Sequence, residues 1–120
     1  TLFALAAESS ASDEFKRLCT SLNEGDTMLC LKKISPTRLV KNTLYNKVAE
    51  AEAAGADADA LREILGKAAS KRGIFEGDVE NGEIEIGQIA SAVKSIDTVE
   101  EIFARLDREY NERLSHFGFL

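Results

Sequence analysis

Apolar residues recur at helical spacing in five separate stretches of the chain. Spacing of this kind places one side of a helix against a core and leaves the other side to water. The five stripes are Phe15, Leu18, Cys19 and Leu22; Leu44, Val48 and Ala51; Leu61, Ile64, Leu65 and Ala68; Ile86, Ile89, Ala90 and Val93; and Val99, Ile102, Phe103, Leu106 and Tyr110. The pattern predicts a mostly α-helical chain.

Polar residues before these stripes and glycines after them predict where the helices begin and end. Side chains that cap a helix N-terminus precede three of the stripes, at Ser10 or Ser12, at Asp57 or Asp59, and at Thr98. Glu101 follows Thr98 by three residues, which is the spacing of a capping box. We expect Gly55 to end the second helix and Gly73 to end the third, since glycine readily adopts the conformation that terminates a helix.

Short apolar runs between the helices predict one or two strands. Residues 27–31 form such a run between a turn and the pair Lys32 and Lys33. Pro36 is the only proline, and we expect it to mark a helix start or a fixed turn before residues 37–42. Residues 1–7 look like the end of a buried strand. We therefore expect the chain to be cut from, or completed by, something larger.

Composition narrows the class of protein. The chain has 120 residues, of which 44% are hydrophobic and 30% are charged, with a net charge of −6. This acidic balance, with no basic patch, argues against nucleic acid as a partner, and no apolar run approaches the roughly 20 residues that span a membrane. Cys19 and Cys30 form no metal motif, so we expect free, partly buried thiols and a reducing, cytoplasmic setting.

A glycine-containing stretch at residues 77–90 is the most distinctive part of the sequence. Gly82 and Gly87 bracket an alternating Glu/Ile run, and Gln88 then opens an apolar pattern. Glycines so placed allow a backbone to approach a ligand closely. The carboxylates in this stretch invite a metal or acid–base reading, but we expect them to form a solvated face, because no histidine accompanies them. They are Asp78, Glu80, Glu83 and Glu85.

The stretch at 77–90 resembles the closing part of the FMN-dependent enzymes that include nitronate monooxygenases (2-nitropropane dioxygenases) and enoyl-ACP reductase II. In that family an acidic GDVE-x-G segment leads into a GQ-I-A turn beside the flavin. Further motifs follow the family order along the chain: residues 1–4 and 8–10, the pair Phe15 and Lys16, residues 26–27, and residues 36–42. The sequence departs from the usual family pattern at Leu2, Thr37, Ile86 and Ser91.

The resemblance implies an α/β fold, in which this chain is the C-terminal part of an FMN-binding TIM (β/α)8 barrel. Such a barrel needs about 250 residues, so the remaining N-terminal barrel portion is the implied partner, and a homodimer is also allowed. The implied divisions are 1–25, the end of strand eight and its helix; 26–76, a cap with a short strand; 77–114, the flavin-side loop and last helices; and 115–120, a tail. The two phenylalanines of that tail must pack or remain exposed.

The resemblance also implies which residues lie at the cofactor. Thr1 would contact the FMN phosphate at the end of strand eight, Gly87 would allow close approach to the flavin, and Gln88 would lie at its polar edge. Arg38 is a weaker candidate for a substrate phosphate, as in NAD(P)H or a phosphopantetheine arm, with a surface or interdomain salt bridge as the alternative. No catalytic residue and no metal ligand are expected, because the single histidine, His116, does not match the catalytic position of the family.

Two functions remain open from the sequence. The chain is either a segment of an FMN-dependent oxidoreductase, acting on nitronates or on enoyl thioesters with NAD(P)H as a potential electron donor, or a non-catalytic helical subunit without flavin. Apolar faces at residues 1–7 and 15–22 are expected to be exposed in the chain alone. On either reading we expect the chain by itself to lack activity.

Overall fold

The computed structural model describes residues 1–118, in which the chain forms four α-helices and one small antiparallel sheet. In chain order they are α1 (Asp13–Thr20), β1 (Thr27–Cys30), β2 (Thr37–Val40), α2 (Thr43–Ala53), α3 (Ala58–Leu65) and α4 (Val99–His116). The described residues also form three short helical turns. A 3₁₀ turn at Phe3–Leu5 precedes α1, and a π turn at Lys71–Phe75 and a 3₁₀ turn at Gln88–Ala92 lie between α3 and α4. The prediction of a mostly helical chain with short strands is confirmed.

Each α-helix begins at a side-chain cap. Ser12, Asn42, Asp57 and Thr98 each accept a hydrogen bond from the backbone N–H three residues further on. Glu101 also accepts from the Thr98 N–H, so the predicted capping box is present. Such caps stabilise a helix by about 1 kcal/mol each, and they fix where the chain turns from loop into helix.

Two apolar clusters form the core. One lies under α1 and joins the N-terminal segment to the stretch at 84–90; its fully buried members are Leu5, Phe15, Cys19, Leu22, Val40, Ile84, Ile86 and Ala90. The other lies between the sheet and the α2–α3 pair and contains Cys30, Leu31, Leu39, Val48 and Leu61. β2 contributes one residue to each cluster, so it connects the two halves of the molecule.

Residues 84–86 lie along the free edge of β2. β1 pairs with β2 on the other side, with Thr27 opposite Val40 and Cys30 opposite Thr37. On this side the Val40 N–H donates to the Ile84 carbonyl at 2.9 Å, and Leu39 pairs with Glu85. The distinctive loop is therefore held to the sheet by backbone bonds at its centre.

Two glycines cross at close range just before that edge. A Cβ on Gly82 would lie 2.3 Å from Gly73 Cα and 2.5 Å from the Asp78 carbonyl oxygen. A Cβ on Gly73 would lie 2.6 Å from the Glu83 carbonyl oxygen. All three distances are to backbone atoms, which cannot rotate away, so this crossing requires glycine on each side.

Asn42 holds the turn that leads into this crossing. Its Oδ1 accepts from the Tyr45 N–H at the start of α2, and its Nδ2 donates to the carbonyls of Val79 at 2.8 Å and Gly82 at 2.9 Å. One side chain therefore caps a helix and clamps the loop at 79–82 to it. This contact joins residues that are 40 positions apart in the sequence.

Some predicted boundaries were wrong. Pro36 precedes strand β2 and not a helix, which leaves the fixed-turn alternative. Gly66, with φ of +70°, follows the last residue of α3, whereas Gly73 lies in the π turn. The prediction that Gly73 ends the third helix was therefore wrong; glycine is required there by the close crossing.

The N-terminal segment also differs from expectation. Residues 3–5 form a 3₁₀ turn and not a strand end, and their Leu5 is buried under α1. The α1 stripe is covered as well, since Phe15 and Cys19 are buried against the loop at 84–90. Only part of the expected exposure at residues 1–7 remains, chiefly at Phe3, which is 47% exposed.

The last two predicted stripes are only partly buried. Ile86 and Ala90 are buried, but Ile89 is 62% exposed, because the segment forms a 3₁₀ turn from Gln88 rather than an α-helix from Ile86. On α4, Ile102 is buried, whereas Phe103 and Tyr110 are about 60% exposed. In the tail Phe117 is 67% exposed, and Phe119 lies outside the described residues.

Replacement of Gly82 by alanine should destabilise the fold strongly. The added methyl group would overlap the backbone of Gly73, and relieving that overlap requires a backbone shift that costs about 2–4 kcal/mol. Urea unfolding followed by circular dichroism measures the change. Gly55→Ala is the matched control: its Cβ meets open space, so only its positive φ is penalised, by about 1 kcal/mol. Equal losses in both variants would contradict the crossing.

The two thiols should be unreactive in the folded chain. Burial raises the pKa of Cys19 to about 12, and burial with the nearby charges of Glu52 and Glu83 raises that of Cys30 to about 11. Thiolates are the reactive form, so at pH 8 we expect slow reaction with Ellman's reagent until denaturant is added. Fast labelling of either cysteine without denaturant would contradict the buried placement.

Candidate functional site

Two adjacent surface grooves contain all four of the residues that the sequence singled out. The first, which we call the Thr1 groove, has a volume of about 550 Å³ and is bordered by Thr1, Gly87 and Arg38. The second, the Gln88 groove, has a volume of about 480 Å³ and is bordered by Gln88, Ile89 and Arg38. Arg38 lies between them and borders both. The structure thus brings these residues together from three separate parts of the sequence.

Thr1 and Gly87 are in direct contact across the first groove. A Cβ on Gly87 would lie 2.6 Å from the Thr1 hydroxyl oxygen, well inside contact distance. Gly87 has a φ of −68°, so its backbone is one that any residue adopts. Glycine is therefore needed here for space, and its absent side chain leaves the Thr1 hydroxyl and the Gly87 backbone on one small polar surface.

Gln88 begins the 3₁₀ turn that follows Gly87. Its side chain is exposed, and so is the apolar side chain of the neighbouring Ile89. The turn is anchored on its other side by Ala90, which is fully buried against α1. An amide that both donates and accepts hydrogen bonds is therefore presented next to an exposed apolar side chain, on a backbone that the core holds in place.

Arg38 is the positive group of the site. It lies on β2 opposite Leu29, and its Nη1 donates to the Thr27 hydroxyl at 3.3 Å. No ion pair within residues 1–118 includes Arg38, so the salt-bridge alternative finds no support in the described part of the chain. Glu24 and Glu85 border the same grooves, one on each side, and partly offset its charge.

Lys16 fastens the segment that follows Thr1. It is 4% exposed, and its ammonium group donates to the carbonyls of Ala7 at 3.1 Å and Ser9 at 2.8 Å. A buried lysine is rare unless its charge is met by acceptors, as it is here. The sequence pointed to Lys16 only through the family resemblance; its structural task is to hold the loop at 7–9 against α1.

One carboxylate of the loop is not solvated, contrary to expectation. Glu83 is 9% exposed, and the Ser70 hydroxyl lies within hydrogen-bond distance of its carboxyl, at 3.1 Å, and of the Glu85 carboxyl, at 2.8 Å. Burial, and then the charge of Glu85, raise the pKa of Glu83. The alternation of Glu and Ile along residues 83–86 predicts that both glutamates face outward. Glu83 is buried instead, because its backbone lies at the crossing with Gly73. Glu80 and Glu85 are exposed and Asp78 is half-buried, and each of the three accepts a hydrogen bond.

Other site chemistries find no support within residues 1–118. No group of three or more histidine, cysteine or acidic side chains could hold a metal ion in this part of the chain. His116 is at the end of α4, in a hollow with Glu109 and Glu112, and it borders neither groove. Among the described helices, none combines the length and the apolar character that crossing a bilayer requires.

Neutralising Glu83 should make stability less dependent on pH. Because its folded pKa lies above the usual value of 4.5, the folded state holds its proton longer than the unfolded state. Stability should therefore fall as pH rises from about 4.5 through the folded pKa. Glu83→Gln removes that fall and keeps a hydrogen bond with Ser70, so urea midpoints between pH 4.5 and pH 7.5 should decline less than in the parent chain.

The exposed Glu63 supplies the control for this measurement. Glu63→Gln removes the same charge from α3 without touching Ser70 or Glu85 and should leave the pH profile of stability unchanged. A parent-like slope in Glu83→Gln would contradict the buried carboxyl.

Comparison with known proteins supports the fold. No protein-family model matches the sequence, and no curated protein matches it. Among solved structures, FabK from Thermotoga maritima matches 98% of this chain with a TM-score of 0.85 at 24% identity, and its M276A mutant matches 98% with a TM-score of 0.76 at 22% identity. The chain spans 38% and 35% of the length of those two structures. The resemblance that the motifs indicated is thus confirmed as a likeness of fold to a part of FabK.

Proposed function

We propose that this chain forms one wall of the flavin site in an FMN-dependent oxidoreductase of the nitronate monooxygenase and enoyl-ACP reductase II type. The remaining walls would come from the N-terminal barrel portion, which the chain itself does not contain. FabK, whose fold it shares in part, is an FMN-dependent enoyl-ACP reductase. The observation that carries the proposal is the convergence of Thr1, Arg38, Gly87 and Gln88 on two adjoining grooves.

The residues present are suited to FMN. A phosphate needs hydrogen-bond donors, and the Thr1 hydroxyl supplies one at the Thr1 groove. The flavin ring needs open space at its flat face and groups that donate and accept hydrogen bonds at its polar edge. Gly87 provides space at the backbone, and Gln88 provides the amide.

Each residue would have a binding or orienting task. Thr1 would bind a phosphate oxygen through its hydroxyl, and Gly87 would let the ring approach the backbone. Gln88 would hold the polar edge of the ring and so fix its orientation. When bound, FMN would supply two-electron redox chemistry, carrying electrons from NAD(P)H to an enoyl thioester or from the nitronate itself to oxygen.

Arg38 has a separate task in the proposal. It borders both grooves, so it could bind the phosphate of a second ligand while Thr1 binds that of FMN. NAD(P)H and a phosphopantetheine arm both carry such a phosphate. We assign no proton transfer to this chain, because no described histidine borders the Gln88 groove.

The proposal is tested on the natural protein isolated intact, whether it is one polypeptide or several. Visible absorbance of bound flavin is measured after gel filtration, and turnover is then assayed with NADH or NADPH against crotonyl-CoA, and with oxygen against an alkyl nitronate. Retained FMN with turnover of either substrate supports the proposal and identifies the branch. Natural protein that neither contains nor takes up FMN would mean that the chain is the non-catalytic helical module.

Gly87→Ala in the intact protein should weaken FMN binding. The added methyl group would collide with the Thr1 hydroxyl and would stand where the ring approaches the backbone, so we expect at least about a tenfold rise in the Kd, equivalent to about 1.4 kcal/mol. Fluorescence quenching of FMN on titration with apoprotein measures it.

Gly55→Ala is the matched control for the flavin titration. Its Cβ would meet open space beyond the end of α2, and Gly55 borders neither groove. We expect some loss of stability from its positive φ but an unchanged Kd for FMN. An equal rise in both variants would show that Gly87 acts through stability alone.

A further inference from the structure

Helix α4 projects from the rest of the molecule. It has 18 residues, which at 1.5 Å per residue make it about 27 Å long. The described chain measures 55 × 29 × 20 Å, with a radius of gyration of 17.2 Å, whereas about 14 Å is typical of a compact chain of this length. From Leu106 to the end of the helix every residue except Leu114 is exposed.

Only the first turns of α4 are fixed to the body. The Val99 N–H donates to the Glu8 carboxylate at 2.7 Å, and Arg105 pairs with Asp97 at 2.6 Å. Ile102 is the only residue of the helix that is buried. The direction of the helix is thus set at its base, while the following turns extend away from the two cores.

The projecting turns carry an apolar stripe that nothing in the described chain covers. Phe103, Leu106 and Tyr110 lie at i, i+3 and i+7, which places them on one face, and they are 59%, 39% and 63% exposed. Phe3 extends the stripe toward the N-terminal segment, since its ring lies 5.5 Å from that of Phe103. The stripe therefore reaches the N-terminal segment, in which Phe3 is close to Thr1 in the sequence.

The comparison with FabK indicates what covers the stripe. The match includes 98% of this chain, so α4 lies within the region that is matched to that structure. The chain corresponds to only 38% of FabK, so most of that fold lies outside it. A helix that is fixed at its base and exposes an aromatic face is typical of one half of an interface, the other half of which lies outside this chain.

We propose that the stripe Phe3, Phe103, Leu106 and Tyr110 is the docking surface for the barrel portion that completes the FabK-like fold. This inference rests on the proposed function for the identity of the partner and extends it by naming the contact. The partner surface is apolar and fits the convex side of a helix. Docking there would bring the barrel portion against the N-terminal segment next to Thr1, where the flavin wall requires it.

Hydroxyl-radical footprinting of the intact natural protein tests the docking surface. Oxidation of Phe103 and Tyr110 is compared with their oxidation in the 120-residue chain alone. We expect at least about a tenfold slower modification in the intact protein, because a docked interface excludes solvent. Equal rates in the two samples would overturn the proposal.

A pair of neighbouring substitutions separates docking from folding. Phe103→Asp introduces a charge into the stripe, and Ala104→Asp introduces the same charge one residue later on the exposed opposite side. In the intact protein we expect only Phe103→Asp to lower the melting temperature or release the barrel portion, while the isolated chain tolerates both. Equal effects of the two variants on the intact protein would overturn the docking surface.

Two further outcomes separate this proposal from its alternatives. Sedimentation of the isolated chain shows whether a second copy occupies the stripe: a dimer abolished by Phe103→Asp, with the intact protein unaffected, would overturn the barrel portion as occupant. FMN retention is read independently. Flavin-loaded protein with a bare stripe would contradict the docking surface alone, and a protected stripe without flavin would contradict the flavin site alone.

Discussion

The close crossing of Gly73 and Gly82 is the constraint on which the rest of the structure depends. At that point two backbone segments approach so closely that no side chain fits between them, and Asn42 clamps one of them to the start of α2. From this crossing, the path of residues 84–86 follows the open edge of β2, with which they form backbone hydrogen bonds. The positions of Gly87 and Gln88 follow from that path.

Strand pairing and the shared core bring together the segments that carry the candidate binding residues. Residues 37–40 pair with the loop on one edge and with β1 on the other, so Arg38 is held beside the loop. Lys16 fixes the N-terminal segment against α1, and burial of Leu5 and Ala90 in the same cluster brings Thr1 next to Gly87. The four predicted binding residues thus lie close together because the three segments that carry them share one core. Their binding roles remain proposals, whereas their proximity is structural.

Local signals in the sequence predicted the helices well. Ser12, Asp57 and Thr98 cap the helices as expected, because an N-cap depends on only a few neighbouring residues. Properties that depend on distant segments were not predictable in this way. Burial of Glu83 follows from the crossing with residue 73, and the exposure of Phe103 and Tyr110 follows from the absence of a covering surface. Periodicity identifies an apolar face but not what lies against it.

The central claim is that the Gly87–Gln88 turn forms part of a flavin site, and a crystal structure of the intact natural protein with FMN tests it most directly. The account predicts flavin ring atoms in van der Waals contact with the Gly87 backbone, at about 4 Å, with the Gln88 amide at the polar edge of the ring. Flavin bound on another surface, with Gly87 and Gln88 open to solvent, would contradict it.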